Sequence, residues 1–225
     1  MGENLNTKLA KLPLSYLQLH STPTFQVSVH ESFAIPPSMG AQRVSMNTVQ
    51  TLQWTHGQQA GLLAGAKDGI IRYFADGTRL TAKRDEFKGH SGTVHSISTC
   101  TAPNMEDIFA SAGQDKCLRI WDTRQKNPTF VDRTKEELLF CQFSNRDGSV
   151  LATSNYNDEI CFYDTKMWKI AKQIKFPREV NCLMWNLDDS VFFIADSSGR
   201  INLFDGQILE ATSLEKPEVE LQGLH

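Results

Sequence analysis

"KCLRIWDTR", residues 116–124, decides how the rest of the chain is read. Leu118 and Ile120 alternate with Arg119 and Trp121, as in a strand with two unlike faces, and the run ends in Trp-Asp. A large aromatic with a single N–H donor needs a polar partner if it is buried. Upstream, Gly-His stands at 89–90, Ser111 lies inside the apolar run "IFASAG", and Asp115 sits in the tight turn "GQDK". A buried His90 can bridge the Ser111 hydroxyl and the Asp115 carboxylate, while the Trp121 indole takes the serine as its partner. These four residues are expected to form a structural hydrogen-bond network that ties a four-stranded unit together.

The pattern recurs. Strand ends resembling "RIWD" appear as "IRYFAD", "LRIWDT", "ICFYDT" and "INLFDG", with aromatics at Phe74, Trp121, Tyr163 and Phe204. The steps between them are 47, 42 and 41 residues, and a period near 42 built only of short strands is the spacing of propeller blades. Each unit divides into four strand-like runs bounded by turn signals such as "ADG" (75–77), "DGS" (147–149) and "SSG" (197–199). Sustained helical periodicity is absent. The expected class is all-β, with four-stranded antiparallel units at about 44–87, 88–132, 133–175 and 176–225.

Gly-His followed 31 residues on by Trp-Asp, with Ser111 and Asp115 between, resembles the WD40 repeat. The resemblance spans roughly residues 44–225 and implies a β-propeller with four recognisable blades, part of a ring that has seven in the family. The other units depart from the motif. Unit three has Thr153 and Tyr163 but Asn157 at the turn, unit one keeps Asp68 but has Ala64 and Phe74, and unit four has Ile194, Ser198 and Phe204. Unit four is therefore expected to hold by apolar packing alone.

Composition fits a globular chain: 40% hydrophobic and 22% charged residues. With 23 basic and 26 acidic residues the net charge is −3, so nucleic-acid contact would need a local patch. Five scattered cysteines show neither zinc spacing nor a disulfide framework, and no apolar run is long enough to span a bilayer. No metal site, cofactor or small-molecule substrate is expected. Nucleophile-elbow, phosphate-loop and HExxH motifs are missing, and the adjacent Asp188 and Asp189 fall in what reads as a solvated turn. The chain is expected not to be an enzyme.

Two surfaces stand out as candidates. "TKMWKIAKQIKFPR" (165–178) carries Lys166, Lys169, Lys172, Lys175 and Arg178 without an acid, on the expected outermost strand of unit three. Lysines there discourage edge-to-edge pairing, and they also offer a contact for RNA or an acidic partner, with Trp168 as an anchor. Gln114, Tyr156 and Asp196 fall in turns at one end of the blades and are candidates for protein binding. Residues 1–43 break the period as an N-terminal extension, in which "TFQVSVH" (24–30) reads as a clasp strand for a closing blade.

A narrower resemblance covers about residues 88–205: "AGQDKCLRIWDTR", then "NYNDEICFYD", then "PREVNCLMWNLDDSVFFIADSSGRINLF". In that order they are similar to the third, WD-repeat subunits of the THO complex. The resemblance implies a nuclear, non-catalytic scaffold coupling transcription to mRNA processing and export, with other THO/TREX subunits as partners and any RNA contact largely indirect. The competing reading is a peptide-reading WD40 subunit of a ubiquitin-ligase or chromatin-modifying complex, in nucleus or cytoplasm.

Overall fold

Sixteen strands account for nearly all the regular structure of the computed structural model, which describes residues 48–56, 61–75, 84–206 and 220–222. The extension and its expected clasp strand at 24–30 lie outside the described residues. Blade 1 contains β1 (Val49–Trp54), β2 (Leu62–Ala66), β3 (Ile70–Phe74) and β4 (Arg84–Lys88). Blade 2 contains β5 (Val94–Thr99), β6 (Ile108–Gly113), β7 (Cys117–Asp122) and β8 (Phe130–Arg133). Blade 3 contains β9 (Leu138–Phe143), β10 (Val150–Asn155), β11 (Glu159–Asp164) and β12 (Lys169–Lys175). Blade 4 contains β13 (Val180–Trp185), β14 (Val191–Asp196), β15 (Arg200–Asp205) and β16 (Glu220–Gln222). Each blade is an antiparallel meander whose strands pair in chain order. The expected all-β architecture of four four-stranded units is the one observed.

One turn makes the meanders alike. Between the second and third strands of every blade, a three-residue loop ends in a residue of positive φ: Gly69 at 77°, Lys116 at 60°, Asp158 at 57° and Gly199 at 77°. The N–H of that residue closes the turn on the last residue of the preceding strand, as in Gly69 to Ala66 and Gly199 to Asp196, both 3.2 Å. Glycine meets this requirement without strain in blades 1 and 4. Lys116 and Asp158 meet it at a cost that their blades offset by hydrogen bonding around the turn.

The core lies between blades. Leu63, Ile71, Tyr73 and Phe87 of blade 1 pack on Val94, Ile97, Phe109 and Trp121 of blade 2. Ala110, Leu118 and Ile120 then pack on Leu138, Phe143, Leu151 and Tyr163 of blade 3. Ala152, Ile160 and Phe162 in turn pack on Leu183, Trp185, Phe192 and Phe204 of blade 4. Both faces of the central strands of blades 2 and 3 are covered, which is why β6, β7 and β10 are buried along almost their whole length. Burial of roughly a dozen apolar side chains per seam, at about 1.5–3 kcal/mol each, supplies the force that stacks the blades.

Candidate functional site

At the centre of blade 2, Trp121, Ser111, His90 and Asp115 form one line of hydrogen bonds. The Trp121 Nε1–H donates to Ser111 Oγ at 2.8 Å. Ser111 Oγ and His90 Nε2 lie 2.7 Å apart, and His90 Nδ1 is 2.8 Å from Asp115 Oδ1. A carboxylate facing Nδ1 fixes the proton there, so Nε2 accepts from the serine hydroxyl and every donor points toward Asp115. Burial lowers the His90 pKa, and the neighbouring carboxylate only partly restores it, so the imidazole is neutral. Burial alone would raise Asp115, but donation from His90, the Ser91 N–H and Arg119 outweighs it and holds the carboxyl below its usual range.

A Ser–His–Asp line invites comparison with a nucleophilic triad. Here the serine is 0% exposed and already accepts from an indole, so no acyl group can reach its oxygen. Phe87 and Phe109 enclose the same indole, with centroids 5.7 and 6.0 Å away. The arrangement therefore acts on the protein itself, locking the 89–93 loop onto β6 and β7.

Arg119 is the member that sequence reasoning missed. Its guanidinium is buried and donates to Asp115 Oδ2 at 2.7 Å. The same position of β3 carries Arg72, which grips Asp68 bidentately at 3.2 and 2.7 Å. An arginine four residues after a turn aspartate is the signal, and it stands at the same place in blades 1 and 2.

Blade 4 departs from the expectation of purely apolar packing. Asp196, 3% exposed, accepts from Ser198, the Arg200 N–H and Asn202 Nδ2, with Arg178 at 3.4 Å. Burial raises its pKa, yet these donors take it down to about 2. Of the three turn residues proposed for protein binding, Asp196 is thus enclosed beneath its turn. Gln114 is exposed but accepts from Thr93, while Tyr156 stands out at 71% exposure.

The basic run is divided in the same way. Lys166, Lys169 and Lys175 are exposed, Lys172 and Arg178 half-buried, all on or beside β12, the outermost strand of blade 3. Lys175 donates to the Asn157 carbonyl, next to Tyr156, and Arg178 turns toward Asp196. Trp168 is not part of an open surface: it stacks on Phe130 at 5.6 Å and meets Phe143 edge-on, sealing the seam between blades 2 and 3. All five cysteines are free, and Cys182 alone among them is exposed. Among the described residues no cluster of potential ligands could hold a metal ion, and no helix is long and apolar enough to cross a membrane.

Four-stranded blades stacked through apolar seams, one of them locked by a Trp–Ser–His–Asp line, define a β-propeller of the WD type. The family model for the WD domain, G-beta repeat, matches residues 82–122, which span the network. Residues 82–122 thus match a WD40 repeat, and the blades have the fold of a WD40 propeller. It is 31% identical over 122 residues to THO complex subunit 3 of Arabidopsis thaliana, covering 54% of this chain and 38% of that protein. It is 29% identical over 82 residues to a probable histone-binding protein, rba-1, of Caenorhabditis elegans, covering 34% of this chain and 19% of the relative. The chain thus spans well under half the length of either relative. In fold it is similar to a chain of a mitotic checkpoint complex crystal structure, with a TM-score of 0.61, 17% identity, and coverage of 76% of this chain and 53% of that one.

Proposed function

We propose that this WD40 protein is a non-catalytic scaffold subunit of a nuclear THO/TREX-like complex that couples transcription to mRNA processing and export. The observation that carries the reading is the 31% identity to THO complex subunit 3 over 122 residues, on a chain whose Trp121–Ser111–His90–Asp115 line and Asp196 cluster are committed to its own blades. The contact surface is the end of blade 3 where Tyr156 stands beside Lys175, continued along β12 by Lys172, Lys169 and Lys166. An exposed aromatic within a rim of cations suits an acidic protein partner, and RNA phosphate meets the same lysines only secondarily.

The second reading, a peptide-reading subunit of a chromatin-modifying or ubiquitin-ligase complex, draws on the similarity to the histone-binding protein and on exposed Tyr156. Affinity purification of the tagged chain from cells, followed by mass spectrometry, separates the two. THO subunits lost on Tyr156→Ala with Lys175→Glu support the proposal. Recovery of ligase or methyltransferase subunits in their place refutes it.

A further inference from the structure

In three blades an arginine meets an acid at the corner between the second and third strands. Arg72 reaches Asp68 in blade 1 and Arg119 reaches Asp115 in blade 2, both at 2.7 Å, and in blade 4 Arg178 approaches Asp196 at 3.4 Å. Among the described residues, blade 3 has no such pair at its corner. Thr153 pairs with Cys161 as Ser111 pairs with Arg119, so a cysteine stands in the arginine's place, and Asn157 stands in that of Asp115.

The histidine is replaced as well. His90 comes from residues 89–93, which join β4 to β5; the join from β8 to β9, residues 134–137, is one residue shorter and brings Thr134 and Lys135 instead. A cavity of about 240 Å³ lies at this corner, lined by Thr153, Asn155 and Cys161. In blade 2 the counterparts of the first two, Ser111 and Gly113, hold the imidazole: Ser111 Oγ is 2.7 Å from His90 Nε2, and a Cβ on Gly113 would lie 2.7 Å from Nδ1. The cavity thus takes the volume that His90 and Arg119 fill one blade earlier.

Two carboxylates line it, Asp132 and Glu159. One oxygen of each is engaged, Asp132 Oδ2 by the Tyr163 hydroxyl at 2.8 Å and Glu159 Oε2 by Asn155 Nδ2 at 2.9 Å. Among the described residues nothing donates to the other oxygen of either. Thr153, 1% exposed, spends its hydroxyl proton on the Cys161 carbonyl at 3.4 Å and keeps its lone pairs for a donor. The nearby cations are directed elsewhere. Arg133 and Lys135 are exposed at the rim, and Lys175, across from Glu159, donates to the Asn157 carbonyl. Lys169 and Lys172 pair with Asp164 and Phe162, which alternate to the face opposite Cys161 and Tyr163.

We propose that this cavity docks an arginine side chain of a partner protein, its guanidinium donating to Asp132, Glu159 and Thr153 and its methylenes lying along Leu138 and Ile170. Leu138 and Ile170 line the same cavity and give the stem an apolar wall. A planar fork of donors serves two carboxylates and a hydroxyl at once, which a compact ammonium does not. The fold itself sets the precedent, since the other three corners are each closed by an arginine on an acid. The inference does not depend on which complex the chain joins.

Titrating the purified, nitrogen-labelled chain with N-acetyl-arginine methylamide and following its amide chemical shifts tests this. Saturable shifts should centre on Thr134, Asn155 and Glu159, with the millimolar affinity that suits so small a ligand. The neutral citrulline analogue and the capped lysine should each bind several-fold more weakly. Glu159→Gln should weaken binding about tenfold, the loss of one charge-assisted hydrogen bond. Cys161→Arg supplies the guanidinium from the chain itself, and should abolish binding and raise the melting temperature; if that variant does not fold, Glu159→Gln still decides. Shifts that do not saturate or that centre elsewhere overturn the proposal, as does equal binding of the citrulline or lysine form, or a Glu159→Gln chain that binds like the parent. Tighter binding of free L-arginine than of the capped form overturns it too, because the ligand would then be a small molecule and not a residue within a partner.

Discussion

Asp189 of blade 4 accepts the backbone N–H groups of Asn145 and Arg146 of blade 3, at 2.6 and 2.7 Å, and so clamps two blades through one carboxylate. Asn145 answers by donating its side-chain amide to the carbonyls of Trp185 and Asn186. Its own carbonyl accepts from Thr101 of blade 2 at 2.6 Å, so the clamp is continuous over three blades.

Removing that carboxylate leaves two aligned backbone donors facing a gap. Asp189→Ala is expected to cost about 1–3 kcal/mol, the range for stranding hydrogen-bonded partners. Asp188→Ala, one residue away and bonded within its own turn to Ser190 and Asn186, should leave the melting temperature unchanged. Thermal melts of the pair check this, and equal effects from both would remove the clamp from consideration.

The Trp121 line predicts a graded series. Trp121→Ala opens a cavity in the seam of blades 1 and 2 and strands Ser111, for about 3–5 kcal/mol. Trp121→Phe keeps most of the apolar contact but loses the donor, and should cost less, near the 1–3 kcal/mol of an unmet hydrogen bond. Arg119→Met removes a buried cation that Asp115 needs, and should destabilise as well. Urea denaturation with constant slope would place the three in that order.

Acid stability follows from His90 and from the buried carboxylates, Asp115 and Asp196 among them. His90 titrates below 6.5 in the folded chain, so the unfolded chain takes up its proton first. Stability from keeping His90 neutral is therefore complete above pH 6.5 and declines as the pH falls through that value. Asp196, at about 2 when folded against 3.8 unfolded, adds a second loss as the pH falls below 3.8. Melting temperature against pH should bend at both places. In Asp196→Asn the lower bend should shrink, the remainder belonging to Asp115, which is also held below its usual range, while the upper one stays.

The sequence made the strands and the turn chemistry legible because both are local: period-two alternation and glycine or aspartate punctuation repeat every 42 residues or so. The Trp121–Ser111–His90–Asp115 line was legible for the same reason, since all four positions fall inside one repeat. What escaped was contact between repeats. Asp189 looked like a solvated turn because its partners stand 44 and 43 residues upstream, in another blade. Trp168, read as a surface anchor, and Asp196, read as a surface acid, are both enclosed by neighbours that alternation cannot locate. Alternation likewise cannot tell Leu63 and Phe192, which face neighbouring blades, from Leu52, Trp54, Met184 and Ile201, which are exposed.

Tyr163 occupies the position of Trp121 in blade 3 but sends its bond elsewhere. Its hydroxyl donates to Asp132 Oδ2 of blade 2 at 2.8 Å, crossing the seam where Trp121 stays within its own blade. The ring is 1% exposed, and burial together with the facing carboxylate raises the phenol pKa well above 10. A raised phenol means that the unfolded chain releases this proton first, so the bond's contribution is complete below pH 10 and is lost as the pH rises beyond it. Tyr163→Phe and Asp132→Asn should each destabilise by about 1–3 kcal/mol at neutral pH. The double variant should cost less than their sum, by a coupling of roughly 0.5–3 kcal/mol. Alkaline spectrophotometric titration adds a readout independent of stability. Of the four tyrosines, Tyr163 should ionise only as the protein unfolds, so Tyr163→Phe leaves the native titration amplitude unchanged and lowers the unfolded one. If the native amplitude falls instead, the hydroxyl is open to solvent and the seam is not closed by this bond.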